Sequence, residues 1–245
     1  MRYSKTLAGV ALVALAIVAA GALYVSGQEP AGGKVSILFL QGGGHDWKGQ
    51  FPILEEILKK TGDFSVAMTE DLNELKAENI KKYDAVLFYG SGLDFQNGDQ
   101  EKGLCDFVRE GHAFVGIHSA SDSFKKSDAY WELVGGRFAG HGGGKFTVYI
   151  HDAEHPITAG LTEFEIQDET YSHAYHKNAC MRSLIRMNLD GQRQSMGWVQ
   201  TYGKGRVFYT SLGHGMEAWK NPAWQRLVVR GIYWSLGRQV KDPQP

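Results

Sequence analysis

Val35-Ser36-Ile37-Leu38-Phe39-Leu40-Gln41-Gly42-Gly43-Gly44-His45 decides the fold: an unbroken apolar run, three glycines, then a histidine. A continuous apolar run of this length is what a strand buried on both faces of a parallel sheet requires. The pattern recurs. Ala113-Phe114-Val115-Gly116-Ile117 runs into His118, and residues 207–212 run into Gly213-His214. In an open α/β sheet, ligands bind beyond the carboxyl ends of the strands. If these strands lie side by side, His45, His118 and His214 meet in one pocket. Imidazole titrates near neutral pH and is the commonest metal ligand, so such convergence points to chemistry more than to packing.

Working outward, residues 51–60 carry apolar side chains at Phe51, Leu54, Ile57 and Leu58, a helical period. Residues 64–69 read as a second strand, a short polar helix follows, and 83–89 read as a third strand. A further helix, capped by Asn97 or Asp99, ends near Glu110-Gly111, with the glycine as its stop. This alternation predicts a doubly wound, mostly parallel α/β sheet. The second half differs. Residues 146–151, 163–166, 184–189, 196–202 and 206–212 are strand-like with few helical stretches between, which predicts an antiparallel extension on one edge. A last helix spans 222–236, with Pro222 in its first turn and Trp224, Leu227, Val228, Gly231 and Ile232 on one face.

The chain has 245 residues and a formal net charge of −1, with no run of five or six like charges. That excludes the basic footprint of a nucleic-acid binder and leaves a small molecule as the expected partner. Arg2 and Lys5 precede an uncharged apolar stretch, residues 7–25. It exceeds the about 7–15 residues of a signal-peptide core and approaches the about 20 of a membrane span. Ala20-Gly21-Ala22 offers a small-x-small cleavage site. Residues 1–34 are therefore expected to be a cleaved signal or an uncleaved anchor plus linker, and residues 35–240 a single domain. Export follows from the two N-terminal cations: a periplasmic or secreted protein, touching the membrane only through residues 7–25. Cys105 and Cys180 form no disulfide framework. Cys105, beside Leu104, Phe107 and Val108, reads as a buried thiol.

Val115-Gly116-Ile117-His118-Ser119-Ala120 places a polar residue at the tight strand-to-loop turn where nucleophile-elbow folds present their catalytic atom. An imidazole there can act as general base, oxyanion donor or metal ligand, or simply cap the turn. The glycines before His45 let backbone amides approach a ligand, and Trp47 suits a sugar face. A dinucleotide fingerprint fails here, because Trp47 stands where its last glycine is required. The run from Gly135 to Gly144 is too glycine-dense for an element interior and reads as a shaped loop. In it, Arg137 can clamp an anion or hydroxyl array, and His141 can be a further ligand. On a strand Asp168 and Glu169 point to opposite sides, so one carboxylate reaches the pocket; Glu169 is taken as the acid/base or imidazole-orienting group. His151 and His155 have the composition of a metal site, but Pro156 biases His155 away from helix and favours a structural loop. His173 and His176 are weaker candidates.

Gly116-Ile117-His118-Ser119-Ala120, Gly135-Gly136-Arg137-Phe138 with Gly140-His141, and His155-Pro156-Ile157-Thr158 occur in that order. Asp168-Glu169-Thr170-Tyr171, Gly203-Lys204-Gly205-Arg206 and Leu212-Gly213-His214 follow. Together they resemble the ThuA-like (trehalose utilisation) family, within the superfamily sharing the class I glutamine amidotransferase fold. The resemblance implies a flavodoxin-like core and a role in carbohydrate use, on a disaccharide, a glycoside or its keto derivative. Amidotransferases carry cysteine at the elbow; His118 stands there, which argues against glutamine hydrolysis. Glu110-Gly111-His112 and Met196-Gly197-Trp198 depart from the family's usual glycines and proline.

The expectation is thus an exported carbohydrate enzyme with His118, His214 and Glu169 as catalytic groups. His45, Trp47, Arg137 and His141 would bind substrate. Of these residues, His45, His118, His141 and His214 are candidate ligands for a divalent metal such as zinc. The alternative is a non-catalytic, membrane-tethered carbohydrate-binding module, which needs the glycine-rich segments and Trp47 but no titrating pair.

Overall fold

The computed structural model describes residues 33–244 except Asp46 and Asp190, and leaves the Trp47 side chain undescribed. The apolar stretch 7–25 lies outside the described residues. Among these residues no helix is long and apolar enough to cross a membrane.

The strands are β1 (Val35–Gly42), β2 (Phe64–Thr69), β3 (Ala85–Gly90), β4 (Ala113–Ile117), β5 (Gly136–Ile150), β6 (Phe164–Tyr175), β7 (Arg182–Leu189), β8 (Gln192–Tyr202) and β9 (Gly205–Thr210). The helices are α1 (Trp47–Thr61), α2 (Ala77–Ile80), α3 (Gly98–Glu110), α4 (Asp128–Val134), α5 (Met216–Lys220) and α6 (Pro222–Ser235). They build one sheet in the order β2-β1-β3-β4-β9-β8-β7-β5-β6. The first five strands pair in parallel and the remaining pairings are antiparallel, as the two halves of the sequence imply. The order 2-1-3-4-9 is that of a flavodoxin-like sheet, whose direction of winding reverses between β1 and β3. His45 leaves β1 at that switch point.

Two cores flank the sheet because strand side chains alternate. Ile37, Phe39 and Val115 bury against Leu54 and Leu58 of α1 and Leu227 and Ile232 of α6. Leu38, Leu40 and Phe114 bury against Leu104 and Val108 of α3 and Leu133 of α4. Asn97 caps α3 by accepting from the Gln100 amide, and Gly111 ends it with φ 125°. Both cysteines are unpaired: Cys105 buried, Cys180 exposed. His155 is buried in a loop, its Nδ1 accepting from the Ile157 amide at 3.2 Å, a structural role.

The glycine-dense run expected as a loop is strand. β5 pairs with β6 from Gly136 to Val148, with a bulge between Phe138 and Gly140. Two of its glycines answer to what lies opposite: a Cβ on Gly136 would sit 2.8 Å from the Trp198 ring, and one on Gly142 2.9 Å from Thr170 Oγ1. β5 joins β7 only at Tyr149 and Ile150, so most of the β5–β6 ribbon is free of the main sheet. It crosses the carboxyl ends of β4 and β9, where Asp168 and Tyr171 of β6 meet the residues that follow those strands.

α6 holds β9 through a glycine. A Cβ on Gly231 would lie 2.2 Å from the Phe208 ring. Overpacking of this kind costs about 1–3 kcal/mol and occasionally more, so Gly231→Val is expected to lower stability by at least about 3 kcal/mol in chemical denaturation. Gly231→Ala should also destabilise, although the alanine gains about 1 kcal/mol of helix propensity. A stabilised alanine variant would refute the close-packing argument.

Candidate active site

Each histidine is placed by a separate device. Gly43, with φ 82°, lets the turn before His45 cross Ser91 so closely that a Cβ would sit 2.0 Å from its carbonyl oxygen. His118 follows β4 directly with φ 49°, and Phe124 is the only other non-glycine residue with positive φ among those described. Such a backbone costs about 1–3 kcal/mol and persists where its surroundings over-determine it. The Tyr209 hydroxyl supplies that restraint, donating to the His118 carbonyl at 2.7 Å while Ser121 Oγ lies 2.7 Å from the same hydroxyl. His118 Nδ1 is 2.6 Å from the Ser211 carbonyl. A carbonyl only accepts, so Nδ1 carries the proton and Nε2 presents its lone pair to the pocket. His214 is held by its backbone. The Gly213 and His214 amides donate to the Asp168 carboxylate at 2.7 and 3.0 Å, and Gln50 Nε2 donates to the His214 carbonyl at 2.8 Å. Tyr89 in turn donates to Gln50 Oε1 at 2.9 Å and stacks on His45.

The three imidazoles meet. Their ring centroids lie 5.1, 5.1 and 5.2 Å apart, and one ligand atom from each falls within 4.8 Å of the others. β3 stands between β1 and β4 in the sheet, so His45 reaches His118 across one intervening strand and His214 across two. Glu169 enters from β6: its carboxylate oxygens are 3.5 Å from His118 Nε2, 3.4 Å from His214 Nδ1 and 3.3 Å from His141 Nδ1. Tyr171, two residues on and so on the same strand face, places its hydroxyl 3.0 Å from His118 Nε2. Burial, reinforced by nearby His214, pushes His45 down to about 4, and burial holds His118 well below the usual imidazole range, so both are neutral at pH 7. Burial pushes Asp168 up to about 6 against the pull of its three amide donors. A cleft of about 620 Å³ opens beside the cluster, lined by His141, Glu169, His214 and Glu217 with the glycines 142–144.

The remaining candidates divide. His141 is half-exposed at the rim of the cleft. Arg137 is engaged elsewhere, stacked 4.1 Å over Trp131 and donating to the Lys125 carbonyl at 3.2 Å. Trp47 opens α1, and its side chain lies outside the described residues. His173 backs the site, with Nε2 3.3 Å from the Tyr209 hydroxyl. His176 packs against Trp131. Three residues that the sequence reading does not single out complete the arrangement: Tyr171, Gln50 and Tyr89. Asp168 joins them: strand alternation sets it aside in favour of Glu169, yet the site uses it through the Gly213 and His214 amides. Strand alternation from Glu169 is a usable signal for Tyr171 alone.

Fold and site define an α/β protein of class I glutamine amidotransferase-like architecture with a histidine cluster at its strand ends. The Trehalose utilisation (ThuA) family model matches residues 35–235, and the chain belongs to this family. It is similar in structure to a protein described as ThuA-like from Parabacteroides merdae, with TM-score 0.75 and 20% identity over 87% of this chain and 94% of that one. A second such protein, from Bacteroides uniformis, gives TM-score 0.68 and 19% identity over 84% and 94%. A third, described as part of a GMP synthase from Thermoplasma acidophilum, gives 0.52 and 13% over 83% and 94%. No curated protein matches the chain.

Proposed function

We propose that the chain is an exported enzyme of carbohydrate metabolism that acts on a disaccharide, a glycoside or its keto derivative by histidine-centred acid/base chemistry. One observation carries the reading: the Glu169 carboxylate lies 3.3–3.5 Å from three imidazoles beside an open cleft. A keto-sugar has acidic C–H bonds next to its carbonyl, and a fixed carboxylate can remove such a proton. The negative charge then gathers on the former carbonyl oxygen and needs a donor. His118 Nε2 has no proton to give, so the Tyr171 hydroxyl and His214 are the donors at hand. Elimination, hydrolysis or isomerisation can each follow from the enolate. Trehalose utilisation as the family's description supports a sugar substrate. Export rests on Arg2, Lys5 and the apolar residues 7–25.

The test is turnover of a panel of disaccharides and their 3-keto derivatives by the full chain. At least one keto-disaccharide should be consumed, and His118→Ala should abolish the reaction. Saturable binding of panel sugars without turnover would instead support a carbohydrate-binding module.

A further inference from the structure

We propose that His45, His118 and His214 hold one divalent transition-metal ion of the zinc type, with Glu169 beside its open coordination position. This deepens the catalytic reading of the same site and rests on it, but its test reads metal alone.

Spacing is the first argument. Zinc–nitrogen bonds of about 2.0–2.1 Å in tetrahedral geometry separate neighbouring ligand nitrogens by about 3.4 Å. His118 Nε2 and His214 Nδ1 are 3.3 Å apart, and all three imidazoles offer an atom within 4.8 Å of the others. Proton placement is the second. His118 gives its Nδ1 proton to the Ser211 carbonyl, the outer hydrogen bond that metal-bound histidines use to fix the tautomer and free the other nitrogen. That single Nε2 lone pair now faces two competing neighbours, the Tyr171 hydroxyl at 3.0 Å and His214 Nδ1 at 3.3 Å. A shared cation lets both imidazole nitrogens face one centre instead. The third argument is an orphan. His45 Nε2 is buried with no hydrogen-bond partner, a state that costs about 1–3 kcal/mol unless something occupies it.

Three imidazoles with no cysteine leave a fourth position open, as in catalytic rather than structural zinc sites. Glu169 touches His118 and His214 and also lines the cleft, so it stands beside the three-histidine group on the side that opens to solvent. There a carboxylate can take the proton of a metal-bound water, or of a substrate whose oxygen the ion polarises.

The experiment strips the full chain with a chelator, then titrates Zn²⁺ by calorimetry and Co²⁺ by absorbance. One equivalent should bind, with the intense visible bands of tetrahedral Co²⁺. His45→Ala and His214→Ala should each weaken binding by more than about 100-fold, beyond the loss typical of an outer-shell change. His141→Ala should leave it unchanged, and far-UV circular dichroism should match the parent throughout. No stoichiometric binding of either ion, or binding that survives both ligand substitutions, overturns the site. In that event turnover of a keto-disaccharide would still uphold the acid/base reading, while stoichiometric metal without turnover would remove only that reading.

Discussion

Glu169→Gln is expected to lower kcat on the panel substrate by about 10²–10⁴-fold, the range attributable to general acid–base catalysis. The substitution keeps size and shape, so KM should stay within a few-fold and the thermal midpoint within a few degrees. What it removes is the proton acceptor. Among the described residues Glu169 is the one carboxylate that reaches His118, His141 and His214 together, at 3.3–3.5 Å. Asp168, beside it in sequence, spends its oxygens on backbone amides. Glu169→Asp retains the acid but withdraws it by one methylene from the imidazoles and should recover part of the rate. His141→Ala removes only a half-exposed neighbour and should cost less than Glu169→Gln. Steady-state kinetics with the keto-disaccharide decides the matter: wild-type kcat in Glu169→Gln would move proton transfer to another group.

The features legible in the sequence are those that burial dictates. A parallel strand covered on both faces is largely apolar, so β1, β4 and β9 announce themselves, and the histidine that follows each marks the end where ligands bind. His45, His118 and His214 emerge on that ground alone. Strand order does not, because nothing in the apolar runs says that β3 separates β1 from β4. Nor was the length of β5 legible. Gly136 and Gly142 answer to the bulk of Trp198 and Thr170 on other strands, and glycine density read locally means a loop. The supporting contacts are hidden for a similar reason. Gln50 bonds to Tyr89 and to His214 across separations of 39 and 164 residues, beyond the reach of any spacing rule. Arg137 illustrates the converse: an arginine in a glycine-rich motif invites an anion, yet the adjacent Trp131 ring takes its guanidinium.

Asp168→Ala is expected to lower kcat by at least about 10-fold and stability by about 2–4 kcal/mol, because it strips a charged acceptor from buried amide donors. Asp168 is 6% exposed and accepts from the Gly213, His214 and Glu169 amides at 2.7, 3.0 and 2.9 Å. It thereby ties the turn after β9 to β6 and sets the separation of His214 from Glu169, the two groups whose spacing the chemistry needs. Asp168 touches no reacting atom, so it is a positioning residue. Misplacing a catalytic group by even 1 Å is worth up to about 10²-fold in rate. Asp168→Asn keeps one acceptor oxygen but turns an NH₂ toward the remaining donors, and should fall between wild type and alanine on both scales. A merely structural role would depress activity only as the protein unfolds, so cooling well below the midpoint would restore kcat. Positioning instead predicts a deficit in kcat that persists in the cold with circular dichroism intact, little change in KM, and partial rescue by asparagine. Full kcat in cold Asp168→Ala would show that His214 keeps its place without the carboxylate.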